Sequence, residues 1–267
     1  MKYLLTILLL ICTAGLAQAD SQLKTFRTGD DSRGWEAVGR LDFGGRSFCT
    51  GSLITPSLVL TAAHCLYDID TKKLHRSTAI QFRAGWRDGH AQAYRSVSRY
   101  FVHPDFALNN GNRHDRLTND IALIELDRPV KDNTVLPFPT AHRPNKGQAV
   151  GVVSYAHDRA NSPSLQETCH VLARQGGVLV TSCDVDYGSS GAPIFSMTNG
   201  RPKIVSVVSA KANFRGQKVS VGTSLDGALE ELMAMAKSGR KFFKKAEITP
   251  IVTELTDLQA VVGALKE

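Results

Sequence analysis

Short apolar segments separated by turn residues are the feature that most constrains the fold of this chain. These segments are rich in Val, Ile, Leu and Phe, while Gly, Pro, Asn and Asp fall between them. Many short strands without intervening helices favour an antiparallel barrel or sandwich over an alternating β/α fold. The predicted strands lie at residues 37–43, 48–54, 58–62, 79–84, 121–126, 149–155, 178–182, 193–196, 204–210 and 219–223.

A single helix is predicted after these strands, at residues 225–237. Leu225, Leu229 and Leu232 recur at the spacing of one helix face. Gly239 follows at a position where a helix commonly ends. The predicted fold class is therefore all-β with a C-terminal helix.

The first 19 residues have the pattern of a secretory signal peptide. Lys2 precedes an apolar run at residues 4–10, and small residues end at Ala19, so cleavage is expected before Asp20. The run is shorter than the roughly 20 residues that span a bilayer, and no second stretch approaches that length. We expect a secreted or periplasmic protein with no membrane span, and the roughly 250 remaining residues suit one large or two small domains.

Of the five cysteines, four lie beyond the predicted signal peptide: Cys49, Cys65, Cys169 and Cys183. An even number in an exported chain predicts two disulfides. The close spacings favour Cys49 with Cys65 and Cys169 with Cys183, although the sequence permits three connectivities. The chain has neither a CxxC nor an HExxH motif, so we predict no metal and no cofactor.

Three short motifs carry a histidine, an aspartate and a serine in that chain order. His64 lies in TAAHC, Asp120 in TNDIAL and Ser190 in GSSGAP. A serine hydroxyl is a weak nucleophile until an imidazole takes its proton, and the imidazole needs a carboxylate to set its tautomer and stabilise its charged form. A lone histidine or aspartate is usually structural, but the three motifs together predict a catalytic triad.

The residues around these motifs resemble the trypsin-like serine proteases. FCTGSLI at residues 48–54, followed by VLTAAHC at 59–65, is similar to the segment of that family that carries the histidine. NDIALI at 119–124 resembles the aspartate segment, and IVS at 204–206 resembles the strand that lines the substrate cleft. The serine segment at 182–191 is more similar to the bacterial branch related to glutamyl endopeptidases.

This resemblance implies two six-stranded antiparallel β-barrels with the catalytic site in the cleft between them. The helix would follow the second barrel. The assignment divides the chain into a signal peptide (1–19) and a peptidase domain (20–267), the latter comprising an N-terminal barrel (20–138), a C-terminal barrel (139–224), the helix (225–238) and a basic tail (239–267).

The resemblance also assigns the roles at the site. Ser190 would be the nucleophile, His64 the general base and then acid, and Asp120 the group that orients His64. The backbone N–H groups of Gly188 and Ser190 would form an oxyanion hole. The predicted activity is that of an exported serine endopeptidase acting through an acyl-enzyme. The alternative is a catalytically inactive binding protein of the same fold, because Ser189 and Ala192 are unusual for the family.

Ser189 departs from the family in a way that bears on activation. Most trypsin-like enzymes have an aspartate there, which pairs with an N-terminal ammonium created by cleavage before an Ile-Val-Gly-Gly-like sequence. Residues 28–35 contain no such start. Loss of both partners avoids an unpaired buried charge. We therefore predict activity once the signal peptide is removed, with other contacts holding the loop.

The side-chain pocket is less constrained by the sequence. Asp184 lies six residues before Ser190, where trypsin-like enzymes place the acid that selects Arg or Lys. Ser206, Val207 and Val208 would complete the pocket, and the two branched side chains would narrow it toward small residues. A third alternative is a pocket for acidic residues, formed by His170 or Ser209. The simplest interpretation of Asp184 is that it lies on a surface loop and selects no substrate side chain.

The chain is basic, with 32 Lys and Arg against 25 Asp and Glu and a formal net charge of +7. Such a charge favours polyanions in general rather than one partner. The run RKFFKK at 240–245 could contact an anionic membrane or nucleic acid, but such side chains more often solvate a helix end. We expect protein or peptide substrates, no nucleic acid and a monomer.

Overall fold

The computed structural model describes residues 19–109, 111–197, 201–214 and 216–238. Most of the predicted signal peptide, Gly239 and the basic tail lie outside these ranges. Among the described residues, no helix is long and apolar enough to cross a membrane. The elements are β1 (Lys24–Thr25), β2 (Val38–Phe43), β3 (Ser47–Thr55), β4 (Leu58–Thr61), β5 (Ile80–Ala84), β6 (Ala93–Val102), α1 (Arg113–Thr118), β7 (Ala122–Leu126), β8 (Ala149–Ala156), β9 (Arg159–Gln175), β10 (Val178–Thr181), β11 (Pro193–Ser196), β12 (Lys203–Phe214), β13 (Gln217–Ser224) and α2 (Ala228–Ser238).

The first barrel is closed by six antiparallel strands in the order β2-β3-β4-β7-β6-β5. Along its strands, buried side chains alternate with more exposed ones, because successive side chains of a strand point to opposite faces of the sheet. In β5, for example, Ile80, Phe82 and Ala84 are buried while the two residues between them are partly exposed. Large side chains from different strands, including Leu41 and Leu123, fill the interior.

The second barrel has the strand order β9-β10-β13-β12-β11-β8, and pairing of β8 with β9 closes it. The prediction of two six-stranded antiparallel barrels is thereby confirmed. The short strand β1 is added to β9, with Lys24 opposite Leu165 and Thr25 opposite Ser164. The sequence-based division placed residues 20–138 in the first barrel, whereas the start of this range pairs with the second.

The helix α2 confirms the predicted C-terminal helix and packs against β6 and β7 of the first barrel. Leu229, Leu232 and Met235 form its buried face. Because α2 follows the last strand of the second barrel, it returns the chain to the first. The Arg99 guanidinium of β6 donates to the Ala236 carbonyl at 3.4 Å.

Two disulfides join Cys49 to Cys65 and Cys169 to Cys183, so the favoured pairing is confirmed. The first lies beside His64 in the first barrel. The second links β9 to the segment that follows β10 and leads to Ser190. Both disulfides therefore fix chain segments next to the predicted site.

Candidate active site

A cleft of about 590 Å³ opens between the two barrels. Its walls contain two of the three predicted triad residues, and they come from different barrels. The lining includes Phe48 and His64 from the first barrel and Val185, Gly188, Ser190 and Val208 from the second.

His64 lies in a short 3-10 turn that follows β4 and contacts Asp120 through both its backbone and its ring. The His64 backbone N–H donates to Asp120 Oδ1 at 2.8 Å, and Nδ1 lies 2.6 Å from Oδ2. A carboxylate only accepts hydrogen bonds, so Nδ1 carries the proton and Nε2 remains as the basic nitrogen. The arrangement gives His64 the tautomer that a general base requires.

The charge state of His64 follows from the same contact. Burial lowers the pKa of the imidazole, but the Asp120 charge and hydrogen bond raise it by more, against a small opposing effect of Arg116. The net pKa is therefore above its ordinary value. An imidazole with a raised pKa is well suited to take up a proton.

Asp120 is buried, and besides its two contacts with His64 it accepts a hydrogen bond at Oδ2 from the Ser209 hydroxyl. The sequence offers Ser209 for an acidic-residue pocket, but its hydroxyl contacts the Asp120 carboxylate instead. The sequence contains IVS at 204–206 and VVS at 207–209. The family resemblance places the first copy at the substrate cleft, but in the structure Val208 and Ser209 of the second copy line it.

Ser190 lies in a tight loop between β10 and β11 that only glycine-flanked backbone can form. Gly188 and Gly191 have φ values of +97° and +77°. A Cβ on Gly188 would lie 2.4 Å from the Phe48 ring, and one on Gly191 would lie 2.1 Å from the Thr61 hydroxyl oxygen. Side chains larger than hydrogen are excluded at both positions.

The first barrel holds this loop through Thr50 of β3. The Thr50 backbone N–H donates to the Ser190 carbonyl, and its hydroxyl donates to the Gly188 carbonyl, both at 2.9 Å. The loop is thus bonded to the strand that also carries Cys49. These contacts hold Ser190 and His64 in walls of one cleft although the two residues belong to different barrels.

Ser189 is fully buried and uses its hydroxyl where the family has a carboxylate. Its Oγ lies 3.1 Å from both the Ser154 hydroxyl oxygen and the Tyr155 carbonyl oxygen. The Asp186 backbone N–H donates to the same Oγ at 3.3 Å. The loop therefore has uncharged contacts at the position where an ion pair would otherwise be needed.

The structure brings only part of the predicted side-chain pocket to the cleft. Val208 lines it, but Ser206 and Val207 are fully buried, and the Ser206 hydroxyl donates to the Thr223 carbonyl. Asp184 is exposed outside the cleft lining. His170 lies 2.8 Å from an Asp20 oxygen through its Nδ1. Successive residues of a strand point to opposite faces, so a sequence assignment that is displaced by one residue names core residues in place of cleft-lining ones.

The cleft wall near Ser190 also contains residues that no sequence motif marks, namely His157, Val185, Asp186, Tyr187 and Lys211. Lys211 Nζ lies 2.6 Å from Asp186 Oδ1 and 3.9 Å from the centroid of the Tyr187 ring. These residues come from three separate segments. Their only sequence signal is the position of residues 185–187 just before the glycine-flanked serine.

One cluster near the cleft has metal-ligand atom types. The Sγ atoms of Cys49 and Cys65 and a ring nitrogen of His64 lie within 4.8 Å of one another. Both sulfurs are in the Cys49–Cys65 disulfide. Because metals bind the thiolate form of cysteine, this cluster does not offer a metal site.

Two closed barrels, with a histidine and a serine in the cleft between them and a buried aspartate bonded to the histidine, are typical of the chymotrypsin fold class. The family model described as Trypsin matches residues 28–228, and the chain belongs to this family of serine proteases. Glutamyl endopeptidase of Bacillus licheniformis is 28% identical over 157 residues, which cover 57% of this chain and 46% of the relative. Human kallikrein-15 is 31% identical over 200 residues, covering 70% of this chain and 72% of the relative.

A solved structure of a Glu endopeptidase has the same fold. It superposes with a TM-score of 0.66 at 20% sequence identity, covering 83% of this chain and 98% of the other. The chain therefore matches nearly the whole of that structure but less than half the length of the glutamyl endopeptidase from B. licheniformis. Together these findings support the predicted relationship to the glutamyl endopeptidase branch.

Proposed function

We propose that this chain is an exported serine endopeptidase whose triad consists of His64, Asp120 and Ser190. The observation that carries the proposal is the 2.6 Å contact between His64 Nδ1 and Asp120 Oδ2 in a cleft that Ser190 also lines. Membership of the trypsin family supports hydrolysis of protein or peptide substrates. The expected signal peptide supports secretion or export to a periplasm.

In the proposed reaction, His64 Nε2 takes the proton from Ser190 Oγ as that oxygen attacks the peptide carbonyl carbon. The negative charge on the carbonyl oxygen would be stabilised by the N–H groups of Gly188 and Ser190. The C–N bond then breaks, with His64 returning the proton to the leaving amine. Water attacks the resulting ester by the same sequence of proton transfers, releasing the acid and free Ser190.

A fluorophosphonate that traps activated serines tests the proposal. The mature protein is expected to become labelled, and the Ser190→Ala variant is expected to lose the label. Cleavage of a peptide mixture should disappear in the same variant. Absence of Ser190-dependent labelling and cleavage in a folded protein would instead favour an inactive binding protein.

We further propose that activity does not require a free N-terminal ammonium. The uncharged contacts of Ser189 support this, because a buried ammonium would have no carboxylate partner at that position. A protein carrying a few extra residues before Asp20 should label at the same rate as the protein that begins at Asp20. A strict need for one newly exposed terminus would contradict the proposal.

A further inference from the structure

The segment before the first barrel is bonded to β9 of the second barrel along its length. The Ser21 backbone N–H donates to the Thr168 carbonyl at 2.8 Å, and the Thr168 N–H donates to the Ser21 hydroxyl at 2.8 Å. Asp20 Oδ1 lies 2.8 Å from His170 Nδ1. Further along, Phe26 is 1% exposed. The segment is thus part of the folded barrel.

One buried side chain connects this segment to the loop that precedes Ser190. Gln166 of β9 is 4% exposed. Its Nε2 donates to the Ser21 carbonyl at 3.0 Å, and its Oε1 accepts from the Asp184 backbone N–H at 2.7 Å. A side-chain amide has one donating end and one accepting end, so the Ser21 carbonyl determines which end faces Asp184.

Asp184 immediately precedes the part of the chain that forms the cleft wall. The Cys169–Cys183 disulfide anchors the preceding residue, and the next three residues, 185–187, line the cleft. The Gln166 bond therefore acts on the backbone between a covalent anchor and the substrate-facing wall. Loss of the Gln166 amide would leave both the Asp184 N–H and the Ser21 carbonyl without this partner.

We propose that Gln166 is a positioning residue through which Ser21 sets the conformation of the cleft wall at residues 185–187. The proposal rests on the proposed endopeptidase function for its kinetic consequences, but not for its structural ones. It uses a neutral amide and a backbone carbonyl rather than an N-terminal charge. It is therefore compatible with activity in a chain extended before Asp20.

The Gln166→Met variant tests the connection, because methionine has a similar size without the two hydrogen-bonding ends. Amide hydrogen exchange at residues 184–187 should become at least about tenfold faster. The value of kcat/KM for a peptide of four or more residues should fall about tenfold, mainly through KM. The rate of reaction with a small fluorophosphonate, which needs Ser190 but not the wall, should change less than about threefold.

The control is Gln148→Met. The Gln148 side chain also accepts a hydrogen bond from a backbone N–H, that of Asn145, but it lies outside the cleft lining of the same barrel. This variant should leave exchange at residues 184–187 and both rates unchanged. Thermal unfolding of each variant would separate a local effect from general destabilisation.

The Ser21→Pro variant tests whether the N-terminal segment acts through Gln166. Proline removes the N–H and the hydroxyl with which residue 21 is bonded to Thr168. It should speed exchange at residues 184–187 and raise KM in the same direction as Gln166→Met. Without its bonds to Thr168, residue 21 should move its carbonyl away from Gln166, the same contact that Gln166→Met removes. The two changes combined should therefore produce no more than the effect of Gln166→Met alone.

The outcomes distinguish this inference from the proposed function. Unchanged exchange at residues 184–187 in Gln166→Met, or full additivity with Ser21→Pro, would overturn the role of Gln166 whether or not the protein is a protease. Failure of the wild-type protein to label would overturn the proposed function, while faster exchange in Gln166→Met would still support the positioning role.

Discussion

At the scale of single residues, the contact between His64 and Asp120 determines the expected pH dependence. The raised pKa keeps the imidazole protonated to higher pH, and only the neutral form can act as a base. The acid limb of kcat/KM should therefore lie above the ordinary histidine value of about 6.5. A pH–rate profile with a peptide substrate measures this limb.

The Asp120→Asn variant provides the matching test. Removal of the carboxylate charge leaves burial as the larger influence, so the pKa of His64 and the acid limb should move to lower pH. The loss of the correct tautomer should reduce kcat by about 10⁴-fold. Asp105→Asn, a change outside the cleft lining, is the control. An unmoved acid limb would contradict the assigned role of Asp120.

A second prediction at this scale concerns the pair Asp186 and Lys211 in the cleft wall. The two charges lie 2.6 Å apart, so neutralising either one frees the other for a substrate side chain. Asp186→Asn should shift cleavage toward acidic residues, and Lys211→Met should shift it toward basic residues, each by about tenfold in relative kcat/KM. A cleavage-site profile on a peptide mixture measures both. Lys218→Met, on β13 outside the cleft lining, should leave the profile unchanged.

At the scale of elements, the loop between β10 and β11 depends on the buried hydroxyl of Ser189. Ser189→Ala would remove a partner of the Asp186 N–H and should reduce kcat/KM about tenfold. Ser189→Asp would restore the usual family residue without a cation to pair with it, and should reduce activity further. Both can be measured with a peptide substrate and the fluorophosphonate.

The control for this element is Ser206→Ala. Ser206 is also fully buried and also bonds a backbone carbonyl, but its side chain lies within the second barrel rather than at the cleft. Its loss should affect stability more than kcat/KM. Equal losses of activity in Ser189→Ala and Ser206→Ala, at equal stability, would refute the specific role of Ser189 in the loop.

At the scale of the whole molecule, each of the two barrels that form the cleft contains one disulfide. The Cys169–Cys183 disulfide closes a loop with a sequence separation of 14. Replacing both cysteines by alanine should lower the free energy of unfolding by about 3 kcal/mol, the value for a loop near this length. Urea unfolding of the double variant measures the change. A loss below about 1 kcal/mol would show that packing of β9 and β10 already holds these segments together.

The pattern of short apolar segments in the sequence predicted most of the strands but missed two long ones. β6, with the sequence AYRSVSRYFV, and β9, with RANSPSLQETCHVLARQ, carry many polar side chains. Their strand conformation follows from pairing with neighbours, and such tertiary context overrides local propensity. β9 in particular pairs with β1, β8 and β10. A polar strand bonded to three others gives little apolar signal in its own sequence.

The sequence by itself determined the chemistry that the chain carries: the histidine, aspartate and serine motifs, the four cysteines beyond the predicted signal peptide, the glycines of the loop and the predominantly β-strand pattern. The tertiary structure alone decided which of two similar Val-Ser pairs meets Asp120. It also decided that Gln166 joins Ser21 to Asp184 and that Ser189 is held by Ser154 and Tyr155. The reason is physical, because these hydrogen bonds join residues up to 145 positions apart, and no local pattern specifies such a distant partner.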